Sequence, residues 1–337
     1  MTFTNKQIAG QRLLVGFDGD DLNADLMFLI KDLYVGGLIL FSRNIQSPEQ
    51  VRELCRSLQD FAEDCGQPPL FIAIDQEGGQ VARLKDPFPQ FPLGNPGLTT
   101  LSDARHFADI TAKGLLEIGV NMNMAPVMDV EPDGFQGVMA KRVFKGCPDV
   151  VSDMGTTVIK GFQALGLMAV AKHFPGIGRT TLDSHLTLPV LETSEEDLST
   201  SDFLPFEAAV KSQVAGIMLS HIKYSALDDL WPASLSEKVV KHLLRHRMGY
   251  QGLVMTDDLD MKAIKVPIDV SIERIIKADV DIALICHKGP AIEQAFKMFL
   301  SEIDHSDESR QASMKSLDRI MNLKKHYLSA YSKLHSK

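Results

Sequence analysis

The sequence predicts an α/β protein: a (β/α)8 TIM-like barrel in a single domain. Three observations point there. Eight short apolar runs are spread along the chain, helical patterns lie between them, and each run ends in a polar or charged residue. The runs are LLVGF (13–17), GLILF (37–41), LFIAID (70–75), VNMNMAPVMDV (120–130), LMAVAKHF (167–174), GIMLSH (216–221), GLVMTDD (252–258) and DIALICH (281–287). They show no clean alternation of apolar and polar positions, which suits parallel strands buried on both faces. Strands alternating with helices favour a closed barrel over an open doubly wound sheet, the rival arrangement.

The helical segments carry their own signals. In SPEQVRELCRSLQDFAE, Val51, Leu54, Cys55, Leu58 and Phe61 fall on one face. Ser47, Pro48 and Gln50 supply the cap, the first-turn proline and a capping-box partner. Val151, Met154, Val158, Phe162 and Leu165 make a second stripe over 151–165. No repeat or low-complexity linker divides the chain. One domain over 1–337 is therefore expected, with 308–332 a C-terminal helix packed on the barrel through Met314, Leu317, Met321 and Leu328.

The chain has 337 residues, 45% hydrophobic and 23% charged, enough for a large core. Its formal charge of −9 argues against nucleic acid or an anionic membrane as the main partner. A small anionic or sugar ligand in a local basic pocket remains compatible with it. Cys55, Cys65, Cys147 and Cys286 are scattered without a CxxC pair, which argues against a disulfide framework or a zinc site and suits a reducing cytosol. The opening MTFTNKQIAGQRLLVGF does not read as a signal peptide, and no stretch approaches the roughly 20 apolar residues of a membrane span. A cytoplasmic protein without a membrane partner is the expectation.

The run ends are Asp18, Arg43, Asp75, Asp129, Lys172 with His173, His221, Asp257 with Asp258, and His287. In a barrel these converge on the face that carries active sites. The longest connections, 76–103, 131–149 and 174–205, follow the same ends.

Four stretches carry candidate chemistry. DQEGGQVARL (75–84) places Asp75 at a strand end ahead of a glycine pair and Arg83. It matches neither GxGxxG nor GxxxxGK[ST], and an aspartate at a barrel mouth suits vicinal sugar hydroxyls. AKHFPGIG offers Lys172 and His173. The lysine is placed to form a Schiff base, to donate to a hydroxyl, or to balance nearby acids, and spacing does not choose among these. In TLDSH (181–185), Asp183 and His185 share one side of an extended segment, and a carboxylate beside an imidazole raises its pKa. GLVMTDDLDM ends a strand in Asp257 and Asp258, with Asp260 close behind. Such acids suit a metal, a base or a nucleophile for an anomeric carbon, although no HExxH or DxDxDG accompanies them. On an extended strand Asp257 and Asp258 point opposite ways, so at most one faces the centre.

Taken together, DQEGGQVARL, NMAPVMDV, KHFPGIGRTTLDSH and GLVMTDDLDM occur in this order over roughly residues 10–290. The set resembles glycoside hydrolase family 3, and more narrowly its single-domain β-N-acetylglucosaminidases (β-hexosaminidases) of peptidoglycan recycling. That resemblance implies a (β/α)8 enzyme, without metal or cofactor, that hydrolyses terminal N-acetylglucosamine with retention through a covalent glycosyl-aspartate. It places the nucleophile on Asp257 and the acid/base on His185, with Asp183 as its partner. Sugar binding falls on Asp75, Arg83, Arg142, Lys172 and His173. The implied partner is a small carbohydrate, such as an N-acetylglucosaminide or a muropeptide, acted on by a monomer. The chain departs from the family pattern at Ile177, where the turn commonly reads Pro-Gly-His-Gly. It departs again after Arg142, where Val143, Phe144 and Lys145 replace Ser-Phe-Gly. The absence of a large C-terminal sandwich domain favours the short branch. The alternatives are a β-glucosidase or glycoside phosphorylase of the same fold, a Schiff-base lyase using Lys172, and an inactive sugar-binding barrel.

Overall fold

A computed structural model describes residues 3–85, 88, 94–135, 137–181, 189–261 and 266–329. Eight parallel strands close into a barrel: β1 (Leu13–Val15), β2 (Gly37–Leu40), β3 (Phe71–Ile74), β4 (Met122–Asn123), β5 (Met168–Phe174), β6 (Gly216–Leu219), β7 (Leu253–Asp258) and β8 (Ile282–Ile285). Their order around the barrel follows the chain. β8 closes on β1 through the pairs Leu13↔Ala283, Leu14↔Leu284 and Val15↔Ile285. All eight strands lie within the eight apolar runs of the sequence.

Helices cover the outside: α1 (Asn5–Gln11), α2 (Ala24–Lys31), α3 (Pro48–Asp64), α4 (Leu101–Glu117), α5 (Pro148–Ala164), α6 (Glu195–Thr200) and α7 (Phe203–Lys211). A π-wound helix, Lys238–Arg247, follows β6, and α8 (Ile268–Lys277), α9 (Pro290–His305) and α10 (Asp307–Leu328) complete the ring.

Burial on both faces explains the unbroken apolar runs. Leu14, Ile39, Phe71, Ala73, Met122, Met168, Val170, Leu253, Met255, Ile282 and Leu284 fill the barrel interior. Their neighbours Leu13, Leu38, Leu40, Ile72, Ile74, Ala169, Ala171, Val254, Ala283 and Ile285 pack outward against the helices. The period of two is intact although hydropathy does not display it.

Three local expectations need correction. Ser47 caps α3 by accepting from the Gln50 amide, but the Gln50 side chain reaches back to the amide of Gln46, one residue short of a closed capping box. Leu165 lies just past α5 and is exposed, because the helix ends at Ala164. On α10 the buried face is Ser313, Ser316, Leu317, Ile320, Lys324 and Leu328, whereas Met314 is exposed and Met321 half-buried. Polar residues on that face hid it from a hydropathy reading.

The inward face of α10 closes the end of the barrel opposite the strand C-termini. Ile320 and Leu328 join the interior cluster. Lys324 Nζ donates to Gln11 Oε1 (2.7 Å) and Gly36 O (2.8 Å) and lies 4.9 Å from the Phe71 ring centroid. Burial pushes its ammonium down to about 7 from 10.5. Between those values the unfolded chain binds the proton that the folded chain has released, so stability rises with pH across that window. Wild type should gain, relative to Lys324→Met, on the order of a few kcal/mol between pH 7 and 10. Denaturant titrations at several pH values check this, and parallel curves for the two proteins would refute it.

Candidate active site

At the C-terminal ends of the strands a cavity of about 500 Å³ is lined by Phe41, Asp75, Glu77, Arg83, Arg142, Lys172, His173, Ile177, Asp257, Asp258 and Cys286, among others. The inward alternation delivers several of these directly. Phe71 and Ala73 lead to Asp75, Met168 and Val170 to Lys172, Leu253 and Met255 to Asp257, and Leu284 to Cys286. His173 and Asp258 sit in the outward register, yet both line the cavity. The ladder shifts between Ala171 and Phe174 on β5 and between Met255 and Asp258 on β7, and such irregularities re-aim side chains. The expectation that only one of Asp257 and Asp258 reaches the centre therefore fails. A uniformly extended strand was assumed, and β7 is not one.

The charged groups form a chain of alternating sign. Arg83 Nη2 lies 3.1 Å from Asp75 Oδ2, and Asp75 Oδ1 lies 2.8 Å from Lys172 Nζ. Lys172 Nζ is 2.7 Å from Glu77 Oε1, and Arg142 grips both Glu77 oxygens at 2.7 and 3.0 Å. Arg142 Nη2 stands 3.5 Å from His173 Nε2, whose Nδ1 is 2.9 Å from Asp129 Oδ2. Local structure sets this up. After β3 the chain turns back on itself, Gln76–Gly78 pairing antiparallel with Val81–Ala82. Gly78 and Gly79, at φ 81° and 60°, make the turn that returns Arg83 beside Asp75. Gln76 Oε1 holds the amides of Arg83 and Leu84, and the Phe41 ring lies against both Arg43 and Arg83.

These pairings decide protonation. Burial opposes ionisation of Asp75, but Lys172 and Arg83 outweigh it and hold the carboxyl far below its ordinary range. Glu77 is also lowered, against burial, by Lys172 and Arg142. Burial would strip Lys172 of its proton, yet Asp75 and Glu77 raise its pKa. Asp257 lies below the ordinary value as well. Burial works against it, and the imidazoles of His173 and His221, the Asp258 amide and Lys172 together prevail. The Asp258 amide donates to Asp257 Oδ1 at 2.9 Å. Asp258 itself is pushed up by burial, with Oδ1 taking the amides of Cys286 and Asp260.

Asp75, Arg83, Arg142, Lys172, His173 and Asp257 are thus brought to one cavity. Asp183 and His185 lie outside the described residues. Asp18 pairs with Arg43 in an exposed position away from the cavity lining. His221 is buried behind β7, its Nδ1 2.8 Å from Ser234 Oγ and its Nε2 2.9 Å from the Asp258 carbonyl. Glu77 and Asp129 were quoted within motifs of the sequence but given no role. The signal for each was weak: Glu77 is two residues past a strand end, and Asp129 is one polar ending among eight.

The cavity is a concave, preformed site in which sugar-compatible donors and acceptors crowd around the ionised carboxylate of Asp257. Residues 7–323 match the family model described as the glycosyl hydrolase family 3 N terminal domain. The chain belongs to glycosyl hydrolase family 3. A β-hexosaminidase of Alkalilimnicola ehrlichii is 35% identical over 83% of this chain and 82% of its own length. β-Hexosaminidase A of Pseudoalteromonas piscicida is 34% identical over 94% of this chain. The solved structure of a family 3 β-N-acetylglucosaminidase from a Paenibacillus species superposes with a TM-score of 0.94 at 34% identity over 98% of this chain. The chain spans 60% of the length of the Pseudoalteromonas protein and 64% of the Paenibacillus one.

The family's Pro-Gly turn after β5 has a clear packing role here. A Cβ on Gly178 would meet Val130 O at 1.9 Å and Val130 C at 2.3 Å, both backbone atoms. Next to it, Arg179 Nε donates to the buried Asp202 Oδ2 at 2.8 Å. Gly178→Ala should therefore displace the start of this connection, lower stability by about 1–3 kcal/mol and reduce turnover. Chemical denaturation and steady-state kinetics check it; unchanged values of both would show that the backbone has room.

Proposed function

We propose that the chain is a retaining exo-β-N-acetylglucosaminidase acting on terminal N-acetylglucosamine, from peptidoglycan fragments in the cytoplasm, as a monomer without metal or cofactor. The observation that carries this reading is Asp257. Its carboxyl is held ionised in the cavity that Asp75, Lys172, Arg142 and His173 also line. The β-hexosaminidase and β-N-acetylglucosaminidase relatives support the choice of sugar.

Asp257 attacks the anomeric carbon while His185, oriented by Asp183, protonates the leaving oxygen. His185 then takes a proton from water, and the hydroxide hydrolyses the glycosyl ester, regenerating Asp257. Asp75, Arg83, Arg142, Lys172 and His173 hold the sugar hydroxyls. The Schiff-base alternative asks for a free amine at Lys172. Two carboxylates at 2.8 and 2.7 Å keep it an ammonium without a lone pair, which disfavours that chemistry.

The test pairs p-nitrophenyl N-acetylglucosaminide with the corresponding glucoside, with and without phosphate, and traps the intermediate with a 5-fluoro N-acetylglucosaminyl reagent. Preferred cleavage of the first, indifference to phosphate and a peptide labelled at Asp257 are expected. A label on any other residue, or preference for the glucoside, sinks the reading. His185→Gly should slow turnover about 10²–10⁴-fold, sparing glycosyl-enzyme formation from good leaving groups more than its hydrolysis.

A further inference from the structure

Asp129 is fully buried behind the cavity wall, and three N–H groups of one segment converge on its carboxylate. Oδ1 accepts from the amides of His173 (3.2 Å) and Ile177 (2.9 Å), while Oδ2 lies 2.9 Å from His173 Nδ1. On the far side of the ring Nε2 lies 3.5 Å from Arg142 Nη2, and both residues line the cavity. An ionised carboxylate only accepts and a guanidinium only donates. Nδ1 therefore carries a proton, and Nε2 presents its lone pair toward Arg142 and the cavity. Constraints on opposite sides of one imidazole select one neutral tautomer.

We propose that Asp129 is a positioning residue that fixes His173 as the Nδ1–H tautomer, so that Nε2 accepts a hydrogen bond from a hydroxyl of the bound sugar. The same carboxylate ties that ring to the turn at Ile177, the start of the connection that continues through residues 182–188. The inference rests on the sugar-binding role proposed above for His173. It explains why an aspartate ends the fourth run of the sequence although its side chain does not line the cavity.

Asp129→Asn separates charge and tautomer from shape. Two backbone amides converge on Oδ1, so the asparagine oxygen must take that place and its NH2 group replaces Oδ2. The NH2 then donates to His173 Nδ1 and forces the proton onto Nε2, which now meets the N–H groups of Arg142 donor against donor. The ring stays where it was, but its cavity-facing atom changes from acceptor to donor.

Three measurements test this. Nitrogen NMR of histidine-labelled protein should show His173 as Nδ1–H in wild type and Nε2–H in Asp129→Asn. Calorimetric binding of N-acetylglucosamine should weaken by roughly tenfold or more in the variant, the scale of one lost hydrogen bond. In a His173→Phe background, Asp129→Asn should cost no further kcat/KM on the chromogenic N-acetylglucosaminide, because Asp129 acts through the ring. An Nε2–H tautomer in wild type, unchanged sugar affinity, or the same loss with and without His173 would each overturn the role. If Asp129→Asn fails to fold, the wild-type tautomer, which needs no variant, decides alone. An active enzyme with the wrong tautomer defeats only the positioning role. The right tautomer in a protein that does not cleave the chromogen defeats only the proposed activity.

Discussion

One ammonium organises the mouth of this barrel. Lys172 is buried between Asp75 and Glu77, and the other charged contacts of the sugar wall extend from that triad, Arg83 onto Asp75 and Arg142 onto Glu77, with His173 hydrogen-bonded to Asp129 beyond them. Without the lysine, two carboxylates would face one another out of water, a strongly destabilised arrangement. With it, each acid is ionised and each base protonated, against what burial alone would dictate. Buried ion pairs gain little net stability, because desolvation offsets their attraction. Five charged groups of alternating sign around an open cavity are better understood as preorganisation. Their dipoles and charges are fixed before a polyhydroxylated ligand arrives, so binding need not order them.

This wall exists because the barrel brings distant residues to one layer. Asp75 and Lys172 are 97 residues apart in sequence, yet both occupy the next inward position above a filled interior, over Ala73 and Val170. Alternation would give one inward side chain per strand end. The register shifts on β5 and β7 raise that to two, adding His173 beside Lys172 and Asp258 beside Asp257. A barrel with perfectly regular strands would have kept Lys172 and Asp257 and lost His173, and with it the link to Asp129 and to the turn at Ile177.

The barrel was legible because its cause is local. Runs of four to eight apolar residues separated by amphipathic stretches leave few arrangements that bury both faces of every strand. The strand-end residues Asp75, Lys172 and Asp257 were legible for the same reason. Three things were not. The register shifts depend on backbone pairing across neighbouring strands, which no single run encodes. The buried face of α10 carries Ser313 and Lys324, whose polar partners Arg12, Gln11 and Gly36 lie some three hundred residues away. Glu77 and Asp129 act by holding other side chains, and a motif reading assigns roles to residues that face the ligand before those that face its binders. Arg142, by contrast, lines the cavity although Val143–Lys145 departs from the family pattern, because Glu77 grips its guanidinium at two points.

The same electrostatics bear on why, in the proposed mechanism, the proton donor comes from a loop and is a histidine. Hydrolysis with retention needs an ionised nucleophile and a separate acid that flanks the scissile bond. Among the described carboxyls, Asp75 and Glu77 at the cavity are ion-paired and lowered, and Asp129 behind its wall is occupied by three N–H groups. Asp258 is raised, but it adjoins Asp257 on one strand, so it approaches the sugar from the nucleophile's side, whereas the leaving oxygen departs on the other. The wall has thus used its acids for binding and structure, and the donor has to come from another element. The connection after β5 starts beside the wall, held by Gly178 against Val130 and by Arg179 on Asp202, and its sequence continues into Asp183 and His185. A further carboxyl in that role would add another negative charge to a mouth that already holds Asp257 and Asp258. An imidazole in the same place is stabilised in its protonated form by those anions and remains an acid near neutral pH.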